Sequence, residues 1–132
     1  MSVANKILIV DDTDEIRNDL CRFLRTQGYD VVDAANGVQA LEILARETVD
    51  LVISDYVMPG MDGIQLIERI HAEWPTTRLV LLSGYLSAAE ADRMLKGKAQ
   101  YISKPTSLNA LLNTIRLLLP AVAFTFILEG IG

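Results

Sequence analysis

Three uninterrupted apolar runs constrain this chain more than anything else in it. Ile7-Leu8-Ile9-Val10, Leu51-Val52-Ile53 and Leu79-Val80-Leu81-Leu82 show no alternation of apolar and polar residues. A strand of that kind needs cover on both faces, which is how central strands of a parallel sheet are buried between two layers of helices. Each run also stops abruptly at a polar group: at Asp11-Asp12, at Ser54-Asp55 and at Ser83-Gly84. A shorter run, Tyr101-Ile102-Ser103, reaches Lys104-Pro105 in the same way. Parallel strands place all four ends on one rim, and the carboxyl rim of an open α/β sheet is where ligands bind.

The segments between these runs carry helical spacing. Ile16, Leu20, Phe23, Leu24 and Gln27 fall on one face of a helix predicted over 14–27, with Gly28 just past its end. Val31-Val32 is a short second strand. Asn36-Gly37 turns into a second helix with Val38, Leu41, Leu44 and Ala45 inward. The stretch 58–63 is a loop by its Pro and Gly content, and Ile64, Ile67, Ile70 and Trp74 mark a third helix stopped by Pro75. Residues 88–96 form a short fourth helix with a weak apolar stripe. Leu108, Leu111, Leu112, Ile115, Leu118 and Leu119 line a fifth. The order is strand then helix, five times over, and right-handed crossovers fix most of the topology.

Composition bounds the function. At 132 residues, 51% hydrophobic and 22% charged, the chain suits one domain with a real core rather than disorder. A net charge of -5 and the lack of any Lys/Arg run of five argue against direct nucleic-acid binding, since phosphate contacts need clustered cations. The single cysteine, Cys21, excludes an internal disulfide and reads as a packing residue. The single histidine, His71, reads as a surface helix residue, because no second His or Cys gives metal-ligand spacing with it. No signal peptide opens the chain, and the longest apolar tract, 117–128, is interrupted by Pro120. It is shorter than the roughly 18–20 residues a membrane helix needs, so no membrane partner and a cytoplasmic location are expected.

The rim carries the chemistry. Asp11, Asp12 and Asp55 lie within several ångströms of one another if the first and third strands are neighbours. Two unit charges at about 4 Å repel by about 4 kcal/mol at an effective dielectric of 20. Three such groups need either a retained proton or a cation among them, and hard carboxylate oxygens with room for waters and a phosphate suit Mg²⁺. Capping of the first helix is the competing explanation for such an aspartate, and it is the one expected for Asp14. Lys104, at the end of the last strand and opposite the aspartates, suits a phosphate or carboxylate. Ser83-Gly84 offers a hydroxyl beside bare backbone.

Taken in order and at these separations, four stretches identify a family. Ile7-Leu8-Ile9-Val10-Asp11-Asp12, the run 54–63 from Ser54 to Gly63, Leu81-Leu82-Ser83-Gly84-Tyr85 and Tyr101-Ile102-Ser103-Lys104-Pro105 resemble the receiver domain of two-component response regulators. The resemblance covers residues 4–119. It implies a flavodoxin-like (βα)5 fold, a doubly wound sandwich with a five-stranded parallel sheet in the order 2-1-3-4-5. It implies a phosphorylation-activated switch rather than an enzyme with an external substrate. Asp55 would be the phosphoacceptor, taking a phosphoryl group from a sensor histidine kinase or phosphotransfer protein. Asp12, Asp55 and the backbone carbonyl of Val57 would ligate Mg²⁺ (or Mn²⁺ in its place), and Asp11 would hold a metal-bound water. Lys104 would pair with Asp55 and then with its phosphate. Ser83 would bond a phosphate oxygen, and Tyr101 would turn inward when Ser83 moves. Val57 and Tyr85 would flank the phosphoryl site. Neither can orient an attacking water, which implies slow self-dephosphorylation.

The resemblance also implies a downstream protein partner or output domain. It leaves open a homodimer through the fourth helix, fifth strand and fifth helix, or through the tail 120–132. That tail contains eight uncharged residues, 121–128, and is read three ways: a linker start, a partner-binding arm, or a segment folded back. A receiver excised from a hybrid kinase or multidomain regulator is the nearest alternative function. A phosphatase of the haloacid dehalogenase type needs a second acid two residues after the nucleophile, where Val57 stands. A flavodoxin needs a phosphate-cradling first loop, where Asp11-Asp12 would repel the phosphate.

Overall fold

The computed structural model describes residues 5–119. The apolar runs become β1 (Lys6–Val10), β3 (Leu51–Asp55) and β4 (Arg78–Ser83). They are joined by β2 (Asp30–Ala34) and β5 (Gln100–Ser103) in one parallel sheet with the order β2-β1-β3-β4-β5. The helices are α1 (Asp14–Thr26), α2 (Gly37–Arg46), α3 (Gly63–Glu73), α4 (Ala88–Leu95) and α5 (Leu108–Leu118). The expected flavodoxin-like order is therefore observed. The tail 120–132 lies outside the described residues.

Alternation along each strand divides the core into two layers. Ile7, Ile9, Leu51, Ile53, Val80 and Leu82 pack with Leu20, Cys21 and Leu24 of α1 and with Leu111, Leu112 and Ile115 of α5. Leu8, Val10, Val52, Leu79 and Leu81 face the other way, onto Ala40 and Leu44 of α2, Leu66, Ile67 and Ile70 of α3, and Ala91 and Leu95 of α4. Both faces of β1, β3 and β4 are thus covered, which is why these strands tolerate no polar alternation. Each buried Leu or Ile side chain contributes about 1.5–3 kcal/mol relative to exposure. Local signals agree with this packing. Asn36 caps α2, and capping boxes open α3 (Asp62 with Gln65) and α4 (Ser87 with Glu90).

Two helices bury most but not all of the stripe predicted for them, keeping Leu20, Phe23 and Leu24 in α1 and Leu41 and Leu44 in α2 against the core. In α1, Ile16 and Gln27 are exposed, and the buried stripe is Leu20, Cys21 and Leu24 with Arg17 largely covered. In α2, Val38 and Ala45 are exposed, and Gly37, Ala40 and Leu44 face the sheet. Gly37 sits so close to Met61 that a Cβ there would lie 2.9 Å from its Sδ. Trp74 closes α3 as its half-buried C-cap, and Leu108 opens α5 exposed. Among the described residues no helix is long and apolar enough to cross a membrane.

Candidate functional site

The site is assembled by strand order. Because β1 and β3 are neighbours with Val10 opposite Ser54, the residues that follow them emerge side by side. Asp11, Asp12 and Asp55 each present a carboxylate oxygen within 4.8 Å of the others. Asp11 is buried, Asp55 is half-buried and Asp12 is exposed. Among the described residues no ion pair reaches Asp11 or Asp12. The oxygens are hard, anionic and convergent, so the donor set fits a divalent cation such as Mg²⁺. Burial pushes the Asp11 carboxyl above its ordinary value, and the charges of Asp55 and Asp12 push the same way. The Thr13 N–H and the Lys104 ammonium oppose them. A cation would relieve this crowding.

Asp11 is tied at three points. Its N–H donates to the Ala34 carbonyl at 3.2 Å, its carboxylate accepts the Thr13 N–H at 2.9 Å, and its carbonyl accepts Arg17 Nη1 at 2.7 Å. Asp14, expected to cap α1, does not. Thr13 is the N-cap residue and uses no side-chain bond, while Asp14 lies inside the helix and accepts from Arg17. The cap position falls one residue earlier than expected, on Thr13.

Asp55 ends β3. Its Oδ1 accepts both the Tyr56 N–H at 2.9 Å and Lys104 Nζ at 3.2 Å, which leaves Oδ2 without a partner among the described residues. Lys104 arrives from β5, where its backbone N–H extends the ladder onto the Ser83 carbonyl at 2.9 Å. The backbone behind Asp55 is held by two residues that sequence reasoning did not single out for a role. The Ser54 hydroxyl, fully buried, donates to the Asp55 carbonyl at 2.9 Å. Gly63 lies so close that a Cβ would sit 2.2 Å from that same carbonyl. A Pro/Gly-rich loop pointed to a turn at 58–63 but not to this approach. Arg17 was likewise missed, though its spacing of three from Asp14 is an ion-pair signal on a helix.

The remaining expected residues surround this centre. Ser83 is buried at the end of β4, and its Oγ accepts the Tyr85 N–H at 3.0 Å. Tyr101 does not reach the carboxylates. It packs on the α2–α3–α4 side of the sheet, and its hydroxyl lies 2.9 Å from the Ser83 carbonyl and 2.5 Å from the Leu86 carbonyl. One phenolic proton serves both acceptors, so Tyr101 ties the β4–α4 loop to β5 in an inward position. Val57 is 50% exposed and Tyr85 79% exposed, on either side of the rim. Cys21 is buried in the core, and His71 is exposed on α3. A groove of about 780 Å³ runs from Asp55 and Lys104 past Tyr85 to Ile16, Pro105 and Leu108. Its walls are largely apolar.

The family model of the response regulator receiver domain matches residues 7–116. The chain is 37% identical over 119 residues to the sensor kinase CckA of Brucella abortus, covering 88% of this chain and 13% of that protein. It is 35% identical to sporulation initiation phosphotransferase F of Bacillus subtilis, covering 87% of this chain and 94% of that one. Among solved structures, the chemotaxis protein CheY4 of Vibrio cholerae superposes with a TM-score of 0.83 at 30% identity, over 89% of this chain and all of the other. The chain therefore corresponds to a small part of some relatives and to nearly the whole of others.

Proposed function

The chain belongs to the response regulator receiver domain family, and on that premise we propose that it is a phosphorylation-driven switch whose acceptor is Asp55. The convergence of Asp11, Asp12 and Asp55 beside Lys104 carries this reading. A carboxylate attacks an anionic phosphoryl group only when charge is neutralised and the reactants are aligned. The Lys104 ammonium and the Tyr56 N–H hold one oxygen of Asp55, and the other has no partner among the described residues. That oxygen attacks phosphorus, the P–N bond to a donor histidine breaks, and the imidazole leaves with the electron pair. Asp12, Asp55 and the Val57 carbonyl would hold Mg²⁺ directly, and Asp11 a water on it. When bound, the ion supplies the charge neutralisation that three carboxylates need to accept an anion.

The readout follows from the loops. An aspartyl phosphate carries more charge and more acceptor oxygens than a carboxylate. Lys104 moves its bond to a phosphate oxygen, and the Ser83 hydroxyl, which accepts the Tyr85 N–H, donates its own proton to phosphate. Tyr101 is tied to the Ser83 and Leu86 carbonyls, so a shift of this loop changes the surface of α4, β5 and α5. Only the difference in phosphate affinity between the loop states drives the change. The apolar groove beside Asp55 suits the donor, a histidine kinase or phosphotransfer protein presenting its histidine from a helical surface. The downstream partner would take the switching surface of α4, β5 and α5, which shares α5 with the groove. A module of a hybrid kinase or multidomain regulator is supported equally by the CckA relative, of which the chain matches only a segment.

Intact-mass measurement after incubation with acetyl phosphate and Mg²⁺ tests this. One phosphoryl adduct is expected on the wild type, dependent on Mg²⁺ and absent from Asp55→Ala. An adduct that survives in Asp55→Ala places the acceptor elsewhere. With Val57 and Tyr85 unable to orient water, the adduct should outlast the donor by minutes or more. A lifetime of seconds contradicts that part of the reading.

A further inference from the structure

Arg17 is the least expected side chain near the rim. It belongs to α1, whose neighbouring residues Ile16 and Asn18 are exposed, yet its own side chain is only 12% exposed. All three guanidinium nitrogens are engaged. Nε donates to Asp33 Oδ2 at 2.8 Å, Nη2 to Asp14 Oδ1 at 2.6 Å and Nη1 to the Asp11 carbonyl at 2.7 Å. The two carboxylates hold the planar fork, and the fork in turn holds a backbone oxygen of the residue that begins the acidic loop. Asp33 sits on β2, opposite Ile9 of β1, so the anchor is the rigid sheet. The Asp11 N–H is fixed to the Ala34 carbonyl of the same strand. The Asp11-Asp12 turn is therefore clamped between β2 and α1 from both ends of its first peptide units.

We propose that Arg17 is a positioning residue for divalent-cation binding, setting the Asp11-Asp12 turn through the Asp11 carbonyl with Asp33 as its anchor. This rests on the reading of the rim as a cation site. Arg17 does not touch the cation or the phosphoryl group. Its charge alone repels a metal ion, so removing that charge should tighten binding if electrostatics were all that mattered. A positioning role predicts the opposite sign. Residues that orient metal ligands from behind typically change affinity 10–100-fold when lost. Lysine keeps the charge but presents a point ammonium that cannot span three acceptors held by a planar fork.

Mn²⁺ affinity of the full chain, read from the electron paramagnetic resonance signal of free Mn²⁺, decides the matter. It needs no phosphoryl donor. Arg17→Gln should bind Mn²⁺ about 10-fold more weakly than wild type. Arg17→Lys should bind several-fold more weakly. Arg22→Gln removes an exposed cation from the same helix and should leave the affinity near the wild-type value. Equal or tighter binding by folded Arg17→Gln overturns the proposal, as does a lowered melting temperature with unchanged affinity. If Arg17→Gln does not fold, Arg17→Lys carries the test, because a pure charge effect predicts no change there. A wild type with no saturable Mn²⁺ site overturns the cation-site reading itself, and the variants then have nothing to position. Those two failures are separated by which protein shows them.

Discussion

At each rim of this sheet one lysine meets a cluster of three acids, Lys6 with Asp30, Glu47 and Asp50 and Lys104 with Asp11, Asp12 and Asp55, and the two clusters are used in opposite ways. At the amino rim Lys6 Nζ lies 2.6 Å from Glu47 and 3.5 Å from Asp30, and the Lys6 backbone N–H donates to Asp50 at 2.8 Å. Each acid there is partnered by Lys6, through its ammonium or its backbone N–H. The Lys6 ammonium is held above its ordinary value, first by the Glu47 hydrogen bond. At the carboxyl rim Lys104 reaches Asp55 alone, and Asp11, Asp12 and Asp55 face one another. One rim is closed and structural. The other is left short of positive charge, which is what a site for a cation and a phosphoryl group requires. Composition does not mark a functional site; the distribution of partners does.

The largest effect that would sharpen this contrast comes from the backbone under the carboxyl rim. Gly63→Ala would drive a Cβ to 2.2 Å from the Asp55 carbonyl, against main chain that cannot yield cheaply. We expect about 3 kcal/mol of lost stability by denaturant unfolding. Gly84→Ala, where a Cβ would meet Lys104 at an ordinary 3.6 Å, should change stability by less than about 0.5 kcal/mol. Equal losses at the two glycines would remove the argument that Gly63 shapes the site.

A smaller pair of effects should differ in sign between the rims. Asp12→Asn removes one of the facing charges, and solvent around exposed Asp12 screens that repulsion to about 1 kcal/mol. Without metal, this variant should be more stable than wild type by about that amount. Asp50→Ala removes the acceptor of the Lys6 N–H and should cost about 1 kcal/mol. Thermal unfolding in chelator reads both, and losses at both positions would break the comparison. The smallest effect is one of pH. The folded ammonium of Lys6 titrates above its ordinary 10.5, so its contribution is full below that value and is lost as pH rises through the folded value. Wild type should therefore lose slightly more stability than Lys6→Met on going from neutral pH to pH above 10.5. Parallel curves would show that the lysine pairing adds nothing.

Much of this was legible in the chain. The apolar runs are buried on both faces for the reason that made them conspicuous, and the acids at their ends meet because β1 and β3 are adjacent. The edges of the helix stripes were less legible: apolar spacing admitted Ile16 and Val38 to the inner faces of α1 and α2, where they are exposed. Arg17 is drawn in by Asp33 and Asp11, and Gly37 is fitted against Met61. Asp14 looked like a cap because spacing does not separate it from Thr13, which takes that position one residue earlier. Ser54 and Gly63 escaped notice because their roles lie in backbone contacts with Asp55, which no side-chain pattern announces. The inward position of Tyr101 depends on two carbonyls of a loop that folds over it.

The central claim is that the carboxyl rim is short of positive charge, with Lys104 reaching Asp55 alone, and the amino rim is not. The most direct test is the melting temperature of wild type, Asp12→Asn and Asp50→Ala, each measured in chelator and then in millimolar Mg²⁺. An ion that binds only the folded chain stabilises it by RT ln(1 + [L]/Kd), about 2.7 kcal/mol at a hundredfold excess over Kd. Wild type and Asp50→Ala should rise together on adding Mg²⁺, and Asp12→Asn should rise far less. A rise in Asp12→Asn equal to that of wild type would contradict the account, because the ion would then be bound somewhere other than among Asp11, Asp12 and Asp55.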